Sequence, residues 1–298
     1  MAKNKKEKSG DHTNISTFDI IKREFLRDPG AIVALSIIVI AVLFITIPYF
    51  FIDSADALTV NLMRVNQAPG DGHLLGTEQN GRDVFALLVV GARNSLAISV
   101  AVTLITGFVG IVLGLFSGYF GGRFDNILMR IVDFVTTLPP LIMIIAFLAI
   151  FPGFNVLRFT LVMSFFLWTG ITRLVRARAI QEKELEYIQA SKTLGTPHLK
   201  TIFAGLLPNI SSIIIVNMTL NTAANVGLET GLSFLGFGFP FDTPSLGTLV
   251  ASSSNSVVLQ HRWWIWLPAA LFVVVLMLAI NTIGRTLHRA TDARLRRG

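Results

Sequence analysis

Asn217, Asn221 and Asn225 recur every four residues with Thr222 at their edge, so a helix over this stretch carries three amides on one face. Amides break no bonds. Inside a membrane they either line a wet passage or hydrogen-bond to a neighbouring helix, and the spacing leaves both readings open. The other chemistry-bearing residues are dispersed. His12, His73, His198, His261 and His288 stand singly, which argues against a metal site. The absence of cysteine removes disulfides, thiolate metal sites and iron–sulfur clusters. No Gly-x-x-x-x-Gly-Lys-Ser/Thr string occurs to cradle a nucleotide phosphate, and no Ser/His/Asp or paired-carboxylate constellation is drawn together. The expectation is a non-enzymatic chain with no catalytic, cofactor or metal residues of its own.

A second stretch is built to be gripped. Glu186 to Asn209 is a polar, helix-patterned insert between two long apolar runs. Leu185, Ile188, Ser191 and Lys192 fall at helical spacing, Gly195 reads as a helix stop, and Thr196 with Pro197 reads as an N-cap and first turn. Leu207-Pro208 reads as entry into the next apolar run, since proline suits a first turn. The pattern predicts helix, tight corner, helix. The plainer alternative is a basic loop with amphipathic helices.

The elements that must position these residues are membrane helices. Of the 298 residues 52% are hydrophobic and only 14% charged, with a mean hydropathy of +0.65, against about 25% charged in a soluble domain. The net charge of +7 does not point to nucleic acid, because Lys and Arg flank apolar runs instead of forming one interleaved patch. Residues 1–30 are a basic leader. Phe18, Ile21 and Phe25 share a face there, which fits either an interfacial helix or a flexible tail. Ala31 to Ile52 is uncharged over 22 residues, enough for a first span; it is too long for a signal-peptide core. Residues 53–94 form an external segment. Further spans are expected at about 96–119, 134–157, 159–175, 210–228 and 263–283, with a loop over 177–207 and a basic tail over 285–298. Gly107, Gly110, Gly114 and Gly118 bare one face of the second span for helix packing. Pro139-Pro140 predicts a kink in the third, and only 14 uncharged residues support the fourth. The span interiors are read as free of Asp, Glu, Lys, Arg and His, which disfavours proton coupling.

Several strings resemble one family. Ala190, Gly195, Leu207 and Pro208 match the EAA loop of ABC-importer permeases, whereas Gln189, Ser191 and Gly205 depart from it. Gly76-Thr77-Glu78, Gly81-Arg82-Asp83 and Gly91-Ala92-Arg93 resemble the segment before the second span in the dipeptide/oligopeptide/nickel permease subfamily, with Glu78 in place of an Asp. Leu232-Ser233-Phe234-Leu235-Gly236 resembles a string that follows that family's fifth core segment. The resemblance implies an all-α integral membrane protein with six transmembrane helices: a type I ABC-importer (MetI-like) permease core over 95–284 preceded by the leader and first span. It implies an ATPase-coupling segment of Glu186, Tyr187, Gln189, Ala190, Ser191, Leu194, Gly195, Thr196, Pro197 and His198. The implied partners are a homologous second permease, two ABC ATPase subunits that bind ATP and Mg, an external substrate-binding protein and the lipid bilayer of a prokaryotic plasma membrane.

Orientation follows from charge. With the N-terminus inside, 20 of the 25 Lys and Arg residues fall on the cytoplasmic side and 5 outside, which puts the 177–207 loop and both termini in the cytoplasm. Uncharged spans offer no fixed-charge selectivity and favour peptides as substrate. Nickel or its chelates, a secondary transporter and a membrane-embedded enzyme are the competing readings.

Overall fold

The computed structural model describes residues 25–49, 59–70, 72–150, 153 and 155–295, with backbone alone for 49 and 291–295. The expected interfacial helix of the leader, the end of the first span at Ile52 and residues 296–298 lie outside the described residues.

The described chain is helical. Its order is α1 (Pro29–Tyr49), α2 (Val84–Phe120), α3 (Gly122–Thr137), α4 (Pro140–Ile150), α5 (Val156–Lys183), α6 (Glu186–Thr193), α7 (His198–Phe234), α8 (Leu246–Ala251), α9 (Ser256–His261) and α10 (Trp263–Leu295). Four of these, α1, α2, α7 and α10, are long and apolar enough to cross a membrane, and α3 with α4 qualifies only as a pair. The helix α5 has the length but carries Arg158, Arg173, Arg176, Arg178 and Lys183.

Three expected elements have helix ends other than those the hydropathy pattern suggests. The helix that carries the second expected span begins at Val84 and not near 96, because Asp83 caps it: its Oδ1 accepts the Ala86 N–H at 3.0 Å. Residues 84–95, read as part of the external segment, are thus the first turns of a helix about 55 Å long. The third span is not one helix over 134–157. Leu138 is extended, as a residue before proline prefers, and α3 and α4 meet at 82° across Pro139. Two consecutive residues without N–H groups turn the expected kink into a break. Asn155 then starts α5 by accepting the Leu157 and Arg158 N–H groups, so residues 156–157 belong to the next helix. The tail is likewise the end of a helix, since α10 continues through Gly284 to Leu295.

The second and fifth helices are held to their neighbours by closeness. A Cβ on Gly110 would stand 2.0 Å from Ile171 Cγ2, one on Gly114 2.8 Å from the Thr172 carbonyl oxygen, and one on Gly118 2.6 Å from Ala179 Cβ. Three turns of α2 therefore lie directly on α5. Gly107 faces Met218 of α7 instead. The hydroxyls of Ser99, Thr103 and Thr106 donate to carbonyls one turn back at 2.8 Å, so α2 satisfies its own polar groups without water.

The segment before α2 is a set of turns. Arg82 pairs with Glu78 at 2.8 Å, and His73 Nδ1 lies 2.6 Å from the second oxygen of Asp83. The Gly-Arg-Asp string thus serves as a turn, a local ion pair and a helix cap. Its far side is tied to α10 by the Trp264 indole N–H, which donates to the Thr77 carbonyl at 3.4 Å.

Replacing Gly114 by leucine must push α2 off α5, and overpacking of this kind costs about 1–3 kcal/mol. Thermal unfolding of the purified protein should shift down by several degrees. Gly170→Ala, where nothing lies within 4 Å, should leave the transition unmoved or raised.

Candidate functional site

The polar insert folds as predicted in outline. Helix α5 runs to Lys183, Leu185 is extended, and α6 makes two turns before stopping at Gly195. The stop is a Schellman motif: the Gly195 N–H donates to Lys192 at 2.9 Å and the Thr196 N–H to Ser191 at 3.1 Å. Gly195 has φ +76°, where a side chain would be strained although there is room for one.

Two details differ from expectation. Pro197, not Thr196, is the N-cap of the next helix, and no side chain caps it. The other is the run-in to Leu207-Pro208. The α-helix does begin there with Pro208 in its first turn, as expected, but a wide π-turn over Thr201–Leu206 joins it back to His198 without a break, so that α7 is one continuous helical run. A π-turn bonds five residues back, which loosens the ladder where proline supplies no donor.

One side chain seats α6 on the bundle. Ile188 is 1% exposed and packs among Leu115, Val175, Ala179, Ile202 and Leu206, which belong to α2, α5 and α7. Gly205 leaves it the space, since a Cβ there would meet Ile188 Cδ1 at 2.9 Å. Tyr119, at the end of α2, is the second anchor. Its hydroxyl lies 2.8 Å from His198 Nδ1, and the Lys192 ammonium stands 4.9 Å from its ring centroid. Tyr187 is the third, donating to Glu182 of α5 and accepting from Asn209 of α7 at 2.7 Å. Burial, the bond to Glu182 and that carboxylate's charge together push its phenol up to about 12 against the opposing bond from Asn209. Tyr187 therefore keeps its proton, and its donor role, at neutral pH. Gln189 donates to the Lys183 carbonyl at 2.8 Å.

Around this frame the corner shows an apolar rim. Leu194 is 85% exposed, and Leu185, Leu199 and Phe203 are also exposed. Ala190, Ser191, Thr196 and Pro197 complete the turn. Such a rim on a rigid corner offers a partner a hydrophobic edge fixed in direction.

The amide stripe divides. Asn225 is buried and donates to Thr103 of α2 at 2.9 Å, so it joins two helices. Asn221 donates to Asn217 at 3.1 Å within α7, and Thr222 bonds back to Met218. Those two asparagines are half-buried and remain the candidates to line a passage.

Sequence reasoning missed Glu229. It was placed beyond the fifth span, yet it lies inside α7 and is completely buried. The Ser233 hydroxyl donates to it at 2.8 Å, Thr230 reaches it at 3.5 Å and Ser95 of α2 also bonds to it. Ser95 in turn accepts the Leu246 N–H of α8 at 3.0 Å. The helical pattern runs unbroken through Gly231 to Phe234, and following it would have brought Glu229 into the span. Among the described residues no group of three or more His, Asp or Glu could hold a metal ion.

Comparison with known proteins shows which family the chain resembles. Residues 110–297 match the family described as binding-protein-dependent transport system inner membrane component. The chain is 45% identical to an oligopeptide transport system permease protein of Lactococcus lactis subsp. cremoris, over 95% of this chain and 97% of that one. It is 34% identical to a dipeptide transport system permease protein of Bacillus subtilis, over 93% of this chain and 84% of that one. An oligopeptide transport system permease protein of Bacillus subtilis is 34% identical, over 92% and 88%.

Ile188→Ala would empty the seat of α6 at a cost of about 2–5 kcal/mol. Amide hydrogen exchange across 186–198 should accelerate at least tenfold while exchange in the middle of α2 stays as it was.

Proposed function

The chain belongs to the inner membrane components of binding-protein-dependent transport systems, and from that premise we propose that it forms half of the pathway of an ATP-driven peptide importer. Peptides are the substrate class because the relatives above are oligopeptide and dipeptide permeases. Nothing comparable supports nickel. The observation that carries the coupling role is the corner at Gly195: a Schellman stop, a buried Ile188 and a protruding Leu194.

The partners follow from what the chain lacks. Without a nucleotide-binding loop, ATP and Mg are held and hydrolysed on two cytoplasmic ATPase subunits. Their closure presses on Glu186 to His198, with Leu194 and its apolar rim as the contact. Ile188, Tyr187 and Tyr119 pass the displacement to α5, α7 and α2 as rigid bodies. A homologous second permease supplies the other half of the pathway, and an external binding protein delivers the peptide. Asn217, Asn221 and Thr222 line the passage on this reading, while Asn225 holds α7 to α2.

Topology completes the proposal. Six crossings result if the bent pair α3–α4 is one span and α5 another, the latter with Arg158 and Arg173 extending from its apolar stretch towards the interfaces. The excess of basic residues on the α6 side supports an orientation with that side and both termini in the cytoplasm.

The native chain has no cysteine, so Leu194→Cys introduces a single thiol. In the assembled complex it should crosslink to an ATPase subunit; crosslinking only to the binding protein would invert the orientation and sink the proposal. A residue forced into the left-handed region costs about 1–2 kcal/mol, so Gly195→Val should lower ATP-driven peptide uptake in proteoliposomes about tenfold, whereas Gly195→Asn should stay near wild type. Uptake by this chain alone without ATP would favour a secondary transporter.

A further inference from the structure

Helix α3 is held to the bundle more by charge than by burial. Of its residues only Asp125, Leu128 and Val132 are buried, whereas Phe124, Ile127, Ile131 and Phe134 are exposed. The backbone breaks at both of its ends. At the start Gly121 and Gly122 take φ +65° and +63°, and at the finish Leu138-Pro139 separates it from α4 at 82°. Neither neighbour along the chain therefore fixes its direction.

What fixes it is a clamp from α5. Asp125, in the first turn of α3, takes both arms of the Arg176 guanidinium: Nε donates to Oδ1, and Nη2 donates to Oδ2 at 2.6 Å. The Ser117 hydroxyl of α2 donates to the same carboxylate. A two-pronged bond of this kind sets orientation as well as attraction. About two turns further on, Arg173 donates to Asp133 at 2.6 Å and to the Thr136 hydroxyl at 2.8 Å, just before the proline break. Asp133 and Arg173 are exposed, so this second pair adds little strength. Asp125 is buried and carries the grip.

Arg176 is itself held in place. A Cβ on Gly114 would stand 3.0 Å from its backbone nitrogen, and one on Gly118 2.8 Å from its carbonyl oxygen. Its backbone thus lies in the seam where α2 touches α5. Seven residues later, about 10 Å along the axis, α5 ends at Lys183, whose carbonyl accepts from Gln189 of α6. The Asp125 carboxylate therefore joins α3 to two of the helices on which α6 is seated.

We infer that Asp125 and Arg176 are positioning residues for coupling, which fasten α3 to the α2–α5 seam so that α3 moves as one body with the helix that bears α6. The inference rests on the coupling role proposed for α6. Without the clamp, the glycine turn and the proline break would absorb a displacement of α5, and α3 would lag behind it. Packing density alone would not prevent this, since α3 buries only two apolar side chains.

The test uses the assembled complex in proteoliposomes, with peptide taken up per ATP hydrolysed as the readout. Asp125→Asn and Arg176→Gln should each lower that ratio about tenfold. The double variant should be no worse than the poorer single one, because both break the same bond. Arg176→Lys keeps the charge but loses the fork, and should fall between. Arg130→Gln, on the exposed side of α3, should match the native ratio. Spin labels on Ile127→Cys of α3 and Leu161→Cys of α5, both exposed positions, give a second measurement. With the clamp intact their separation should be the same with and without ATP. In the double variant its distribution should broaden while the melting temperature shows the bundle folded. A native ratio in Asp125→Asn, additive losses in the double variant, or a label separation that follows ATP with the clamp intact would overturn the inference. If Leu194→Cys still crosslinks to an ATPase subunit while Asp125→Asn transports as the native chain does, this inference fails and the peptide-importer reading stands. If that crosslink never forms, the coupling reading fails and takes this inference with it.

Discussion

The burial of Ile188 is the constraint on which the corner at Gly195 depends. An eight-residue helix has no stability of its own, since nucleation consumes most of what two turns return. Helix α6 exists because Ile188 enters a pocket shared by α2, α5 and α7. The neighbouring polar contacts, Tyr187 to Glu182 and Asn209 and His198 to Tyr119, fix its direction. A push on α6 is therefore felt by three long helices at once. If the same residues formed a surface loop, a partner's motion would be lost in loop rearrangement.

The long helix α7 connects the two ends of the bundle. It spans 37 residues, about 55 Å, and begins at the corner with a π-turn. At its far end the chain closes into a second Schellman turn, in which the Gly236 and Phe237 N–H groups donate to Ser233 and Leu232. That far end is also where Glu229, Ser233, Ser95 and the first residue of α8 are linked by hydrogen bonds. A buried carboxyl held entirely by hydroxyls stays stable only while those donors remain in place. Displacing α7 against α2 and α8 would break the set together, so this cluster suits a contact that has two discrete arrangements.

The parts of the fold legible in the sequence were those written in strong local chemistry. Gly195 at a helix end and the glycines of α2 that meet α5 each have one dominant physical reading, and the structure follows it; Pro139-Pro140 in an apolar run signals a disturbed helix, and the structure carries that to a full break. Boundaries were less legible. Helices α2 and α7 extend well beyond the apolar core that hydropathy detects, because capping by Asp83 and continued packing keep polar turns helical. The two fates of the asparagine stripe were not legible at all. Asn217 and Asn225 share a face and a residue type, and only the approach of Thr103 from α2 makes one a link and leaves the other half-buried.

The departures from the EAA pattern have structural counterparts here. Where the family pattern has an aliphatic residue, Gly205 stands against Ile188, so volume removed from α7 is occupied by the side chain that seats α6. Where the pattern has a glutamate, Gln189 donates to the Lys183 carbonyl at the end of α5. A carboxylate has no N–H with which to do this. The substitution therefore gives up a charge that could face a partner and gains a bond that ties α6 to the preceding helix. If the corner couples as proposed, it relies less on ionic contacts and more on Leu194 and the surrounding apolar rim to engage its partner.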